Sequence, residues 1–216
     1  MRRAIALSVA VVAASALVAC GGGGKHSLDR QSNKKKTTPT GVIAPVSEAT
    51  GSGAVSSSGL RLASSAFDNA GAIPVQFTCT GAGQSVPLAW SGVPAGTTTL
   101  ALRMQDVDTA QKYVHWLVYG IKPSTKSVAA GQSPVGATQA KNSFGQASYA
   151  GPCPPPNGQR HRYVFTLLAL GDAPDLSGTK NAQDAWAALE KSHVVGRVEL
   201  TGTYERSAPP GGTKKG

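Results

Sequence analysis

Two histidines open apolar runs in this chain. His115 leads Trp116-Leu117-Val118-Tyr119, and His161 leads Arg162-Tyr163-Val164-Phe165. Upstream stands the carboxylate pair of Asp106-Val107-Asp108, and between the runs lies Tyr149-Ala150-Gly151-Pro152-Cys153-Pro154-Pro155. An imidazole at the mouth of a buried strand has an apolar floor below it and solvent above. Such rings, with a phenol beside them, can donate hydrogen bonds to a small anion. His161 and Tyr163 are two residues apart and share one face of a strand, while Arg162 faces away. His115 is expected from the neighbouring apolar strand. Gly151 has no Cβ and can bring its N–H close to an anion oxygen, and Pro152 holds the shape of the loop. Asp106 beside a histidine would favour the imidazolium and fix the tautomer of the ring. These parts suit binding better than turnover. The chain has no Gly-x-Ser-x-Gly elbow and no histidines at metal-ligand spacing, and a His–Asp pair without a nucleophile is a thin basis for a hydrolase. No metal or cofactor is expected.

The elements that must position these residues are mostly strands. Short apolar runs separated by turn residues predict strands at Leu60–Ala63, Val75–Thr78, Val86–Trp90, Thr98–Gln105, Val114–Ile121, Arg162–Leu170 and Val194–Tyr204. The runs led by His115 and His161 are apolar on both faces, as central strands covered on each side are. The last run alternates more and is expected to be half exposed. One helix is predicted over Ala182–Ser192, where Ala185, Trp186 and Leu189 recur at helical spacing behind Asn181 as N-cap. Many strands, one helix and Gly/Pro-rich turns indicate an all-β fold with a minor helix, an antiparallel β-sandwich.

Outside this domain the chain changes character. Arg2-Arg3, an apolar stretch to Ala19 and then Leu17-Val18-Ala19-Cys20 read as a lipoprotein signal over residues 1–19, with Cys20 lipidated. Residues 20–58 hold four glycines in a row, Lys34-Lys35-Lys36 and almost no large apolar side chain, so they are expected to be a flexible tether. Some forty residues of coil reach roughly 35 Å from a bilayer. Residues 59–206 form the domain, and 207–216 are a second disordered end. The formal charge of +10 is spread unevenly. Residues 1–59 hold seven basic side chains against two acidic, residues 60–206 twelve against nine, and the tail two lysines. The stem lysines suit anionic headgroups of a bilayer, and the domain lacks the basic stripe of a nucleic-acid binder. With Cys20 lipidated, Cys79 and Cys153 remain, either as a bridge in an oxidising compartment or as two buried thiols.

Six segments in this order resemble the phosphatidylethanolamine-binding protein family, in its bacterial, Raf-kinase-inhibitor-like (YbhB/YbcL-type) branch. They are Ile73-Pro74 with Phe77-Thr78-Cys79, Pro87-Leu88-Ala89-Trp90-Ser91-Gly92-Val93-Pro94, Asp106-Val107-Asp108, Val114-His115-Trp116, Tyr149 to Pro155 and His161 to Phe165. The terminal Gly202-Thr203-Tyr204-Glu205-Arg206 agrees as well. The resemblance implies a β-sandwich of that family's type with a small surface cavity for phosphate-like anions. It carries Asp106, Asp108, His115, Tyr149, Gly151, Pro152, His161 and Tyr163 over as ligand-binding residues. The chain departs from the pattern at Val107 and Thr109-Ala110-Gln111, where prolines are usual, and at Ala150, where many relatives have glycine. The leading expectation is a module at the bacterial cell envelope, extracytoplasmic and lipid-anchored, that binds an anionic small molecule or a phospholipid headgroup. The alternative is a regulator that uses the same pocket on a peptidase or kinase-like protein partner.

Overall fold

A computed structural model describes residues 52–207. The expected signal segment, Cys20, most of the tether and all but the first residue of the tail lie outside the described residues.

The apolar runs become two antiparallel sheets. The smaller contains β1 (Ala54–Val55), β2 (Arg61–Ala63), β3 (Leu88–Ser91) and, entering after two longer strands, a short edge strand. The larger is built on β4 (Thr99–Asp106) and β5 (Val114–Ile121). The short edge strand of the small sheet is β6 (Ser127–Val128), and β7 (Thr138–Gln139) is the corresponding edge of the large one. β8 (Arg160–Leu170) and β9 (Val194–Glu205) complete the large sheet, in the order β7-β5-β4-β8-β9. The small sheet runs β1-β2-β3-β6.

The inner faces of the sheets meet in one apolar core. Leu62, Leu88 and Trp90 from the small sheet pack with Leu100, Leu102, Met104, Trp116, Phe165 and Leu167 from the large one. The outer face of the large sheet is covered too. Ala101, Val114, Leu117, Leu168 and Leu170 bury against Ala182, Ala185, Trp186 and Leu189 of α1 (Ala182–Lys191). This is why the runs led by His115 and His161 are apolar on both faces: β5, β4 and β8 are interior strands between two layers. Asn181 caps the helix as predicted, its side chain accepting from the Asp184 N–H at 2.8 Å. Trp186 lies beneath the Arg103 guanidinium, 4.2 Å from the ring centroid, and burial lowers that arginine to about 10.

Three expectations are corrected. Val75–Thr78 is not a strand, because Pro74 starts a 3-10 turn over Val75–Phe77, closed by Phe77 N–H to Pro74 (3.0 Å) and Thr78 N–H to Val75 (2.9 Å). Its Phe77 side chain supplies the apolar signal by plugging the core from a turn. The tether does not run to Ser58, since Ala54 and Val55 pair with Leu62 and Arg61. Third, β5 is not the neighbour of β8, because β4 lies between them. Cys79 and Cys153 are bridged, with their Cα atoms 5.4 Å apart.

Candidate functional site

The C-terminal end of β4 and the N-terminal ends of β5 and β8 lie side by side at one end of the large sheet. Antiparallel pairing sets Asp106 opposite Tyr163, which places His161 on the diagonal of the same face. The Asp106 Oδ2 accepts from His161 Nδ1 at 2.9 Å, with both side chains almost wholly buried. The Asp106 Oδ1 accepts from the Asp108 N–H at 3.0 Å, so the carboxylate is held from both sides.

His115 reaches this group across the end of β4 because of a β-bulge. Met104 pairs with Trp116 and Gln105 with Val114, leaving His115 as the extra residue on β5. A bulge re-aims a side chain that strict alternation would send elsewhere. The ring then meets Tyr163 edge to face, with centroids 5.3 Å apart at 89°. Its Nδ1 donates to the Ala150 carbonyl at 3.0 Å. Burial pulls the His115 pKa below its ordinary value, partly offset by the Ala150 carbonyl and the charge on Asp106. The ring is therefore neutral at neutral pH.

Tyr163 completes the group. Its hydroxyl is buried and has no hydrogen-bond partner among the described residues. Burial, with the Asp106 charge beside it, pushes this phenol well above its ordinary range, so it remains a donor at every physiological pH. Asp106, His115, His161 and Tyr163 thus form one cluster.

The other expected site residues do different work in the structure. Asp108 turns outward onto Arg162, accepting from its backbone N–H at 2.7 Å and from Nε at 3.0 Å. Tyr149 donates its hydroxyl to the Phe77 carbonyl at 3.0 Å and packs edge-on to Trp116, 5.6 Å away. Packing by itself requires that Gly151 lack a Cβ. A Cβ there would stand 2.8 Å from the Phe77 carbonyl oxygen and 2.9 Å from the Thr78 carbonyl carbon. Pro152 is buried, and its carbonyl accepts from the Cys79 N–H at 3.1 Å. Together with the disulfide, these contacts fasten the loop that presents the Ala150 carbonyl to His115.

Sequence reasoning passed over two participants. Ala150 acts through its carbonyl, which no side-chain pattern reports. Phe144 packs on His115 with centroids 5.1 Å apart at 71°, from a loop whose Asn-Ser-Phe-Gly stretch carries turn chemistry but no sign of its target. Neither imidazole is hydrogen-bonded to a hydroxyl or thiol. Among the described residues no group of three or more His, Cys, Asp or Glu is placed to hold a metal ion.

Comparison with known proteins gives a consistent result. The family profile described as phosphatidylethanolamine-binding protein matches residues 63–205. A Mycobacterium tuberculosis protein named LppC, described as a candidate lipoprotein, is 40% identical over 192 residues, covering 88% of this chain and 90% of its own. A UPF0098 protein of Methanothermobacter thermautotrophicus is 38% identical over 153 residues, 68% of this chain and 99% of its own. Among solved structures, a phosphatidylethanolamine-binding protein homologue from Chlamydia trachomatis aligns with a TM-score of 0.62 at 32% identity, covering 68% of this chain and 98% of that one. Escherichia coli YbcL aligns with the same TM-score at 27% identity, with the same shares covered.

Proposed function

Because this chain belongs to the phosphatidylethanolamine-binding protein family, we propose that its domain is an extracytoplasmic binding module for a phosphate-like anion, free or as a phospholipid headgroup. The observation that carries this reading is the unpartnered Tyr163 hydroxyl, buried in the cluster with His115 and His161, whose Nδ1 atoms are already engaged. A buried donor without a partner costs about 1–3 kcal/mol, and an anion oxygen would recover that. Likeness to a candidate lipoprotein over a span longer than the folded domain supports anchoring through Cys20.

The hydrogen bonds also predict how the anion is held. A neutral imidazole that donates from Nδ1 keeps a lone pair on Nε2. Unprotonated, His115 and His161 therefore offer an anion no N–H. A monoprotonated phosphate brings its own proton to one Nε2, whereas a dianion must draw a proton onto a ring. A phosphate monoester loses its second proton near pH ~6, so its affinity falls as pH rises through that range. Tyr163 donates throughout.

Isothermal calorimetry with inorganic phosphate and phosphoethanolamine tests this on the full chain and on His115→Ala, His161→Ala and Tyr163→Phe. A hydrogen bond to a charged ligand contributes ~1.5–3 kcal/mol, so each variant is expected to bind about ten- to a hundredfold more weakly. Equal affinity in all four proteins would place the anion elsewhere.

A further inference from the structure

We propose that Phe144 and Tyr113 form an aromatic wall that makes the site prefer anions carrying a flat apolar substituent, such as an aryl phosphate ester. This rests on the anion reading above and names the ligand class. Phe144 is 51% exposed, one of four large hydrophobic side chains exposed among the described residues. It stands on an anchored loop. Asn142, 4% exposed, accepts from the N–H groups of Phe144 (2.9 Å) and Gln146 (3.1 Å) and donates to the Ser148 carbonyl (3.0 Å). Ser143 ties the loop to β5 in both directions. Its N–H donates to the Val114 carbonyl, and its hydroxyl accepts from the Val114 N–H, each at 2.9 Å.

The fold therefore fixes an exposed phenylalanine one residue from the strand position that carries His115. One side of the ring packs on His115, and a tilted contact of 5.6 Å joins it to Tyr113, which is itself half-buried. The rest of the ring is open. An anion oxygen held by His115 lies about 2.8 Å from its ring nitrogen, so the next group of an ester comes within contact distance of this wall. Aromatic rings gain from offset or edge contacts beyond their area, whereas a bare phosphate or a hydroxyalkyl ester gains nothing there.

The test compares inorganic phosphate, phenyl phosphate and phosphocholine by calorimetry on the full chain, on Phe144→Ala and on Phe144→Leu. Phenyl phosphate is expected to bind the unsubstituted chain about three- to tenfold more tightly than inorganic phosphate. In Phe144→Ala that ratio is expected to fall to about one, with Phe144→Leu between. A ratio of one in the unsubstituted chain, or a preference that survives Phe144→Ala, overturns the wall while leaving the anion site standing. So does a preference for phosphocholine over phenyl phosphate, which would mark the rings as an ammonium site. Binding of neither phosphate nor its aryl ester overturns the anion site and the wall together.

Discussion

The Ala150 carbonyl and the Asp106 carboxylate each hold one imidazole by its Nδ1, and both contacts are made below the surface. For His115 the setting is mostly desolvating, which depresses its pKa in the folded state. The unfolded chain then binds a proton at this residue more readily than the folded one, so stability rises with pH. The contribution is complete above the unfolded value near ~6.5 and is lost as pH falls from there toward the depressed folded value. His115→Asn keeps a donor for Ala150 and removes the titration. Urea unfolding at pH 5 and pH 7.5 is expected to show a larger loss on acidification for the unsubstituted chain than for the variant. Equal losses would mean that the ring is not desolvated. Tyr163 belongs to the same scale, since its hydroxyl is buried without a hydrogen-bond partner among the described residues and an anion oxygen would supply one.

Among the elements, the 149–156 loop and the 75–79 segment that holds the 3-10 turn act as one brace for the site. The disulfide, the Tyr149 hydroxyl and the Pro152 carbonyl all join them. Gly151→Ala would push a methyl group into the backbone of Phe77 and Thr78, at an expected cost of about 1–3 kcal/mol in a thermal unfolding assay. A neutral outcome would show that the two loops part freely. Reduction of Cys79–Cys153, which span 74 positions of sequence, is expected to lower the melting temperature, with roughly 4 kcal/mol available on the chain-entropy account. Before reduction the denatured domain should show neither of these thiols to a titrating reagent, and finding both would contradict the bridge.

At this scale the sequence was readable where pattern and structure share a cause. β5 spans Val114–Ile121 and α1 starts after Asn181 as expected, because long two-sided apolar runs and an N-cap are local signals. The pairings β4–β8 and β5–β4 are not local, so the pattern alone puts His115 on the strand next to β8, whereas β4 stands between them. Its bulge leaves no mark in composition. Two-residue strands such as Thr138–Gln139 are polar edges defined only by what they pair with. The outward turn of Asp108 depends on Arg162, 54 positions away, and could not be read from the Asp-Val-Asp spacing.

Over the described residues the domain is a two-sheet sandwich with a helix on the outer face of the larger sheet and a cluster of buried polar groups at one end of that sheet. The chain's basic N-terminal stem and Cys20 make the proposed location testable apart from the site. Cys20→Ala is expected to shift the protein from the membrane fraction to the soluble fraction or to stall its processing. Unchanged fractionation with unchanged cleavage would refute the anchor. The central claim is that a phosphate-like anion binds at His115, His161 and Tyr163, and the nitrogen spectrum of the imidazoles addresses it most directly. In a long-range proton–nitrogen correlation experiment on the full chain, the desolvated His115 ring should show protonated Nδ1 and unprotonated Nε2 before ligand is added. Titration with inorganic phosphate should move at least one Nε2 toward the protonated or hydrogen-bonded range while Nδ1 stays in place. Saturation of the protein with phosphate while all four ring nitrogens hold their shifts would contradict the account.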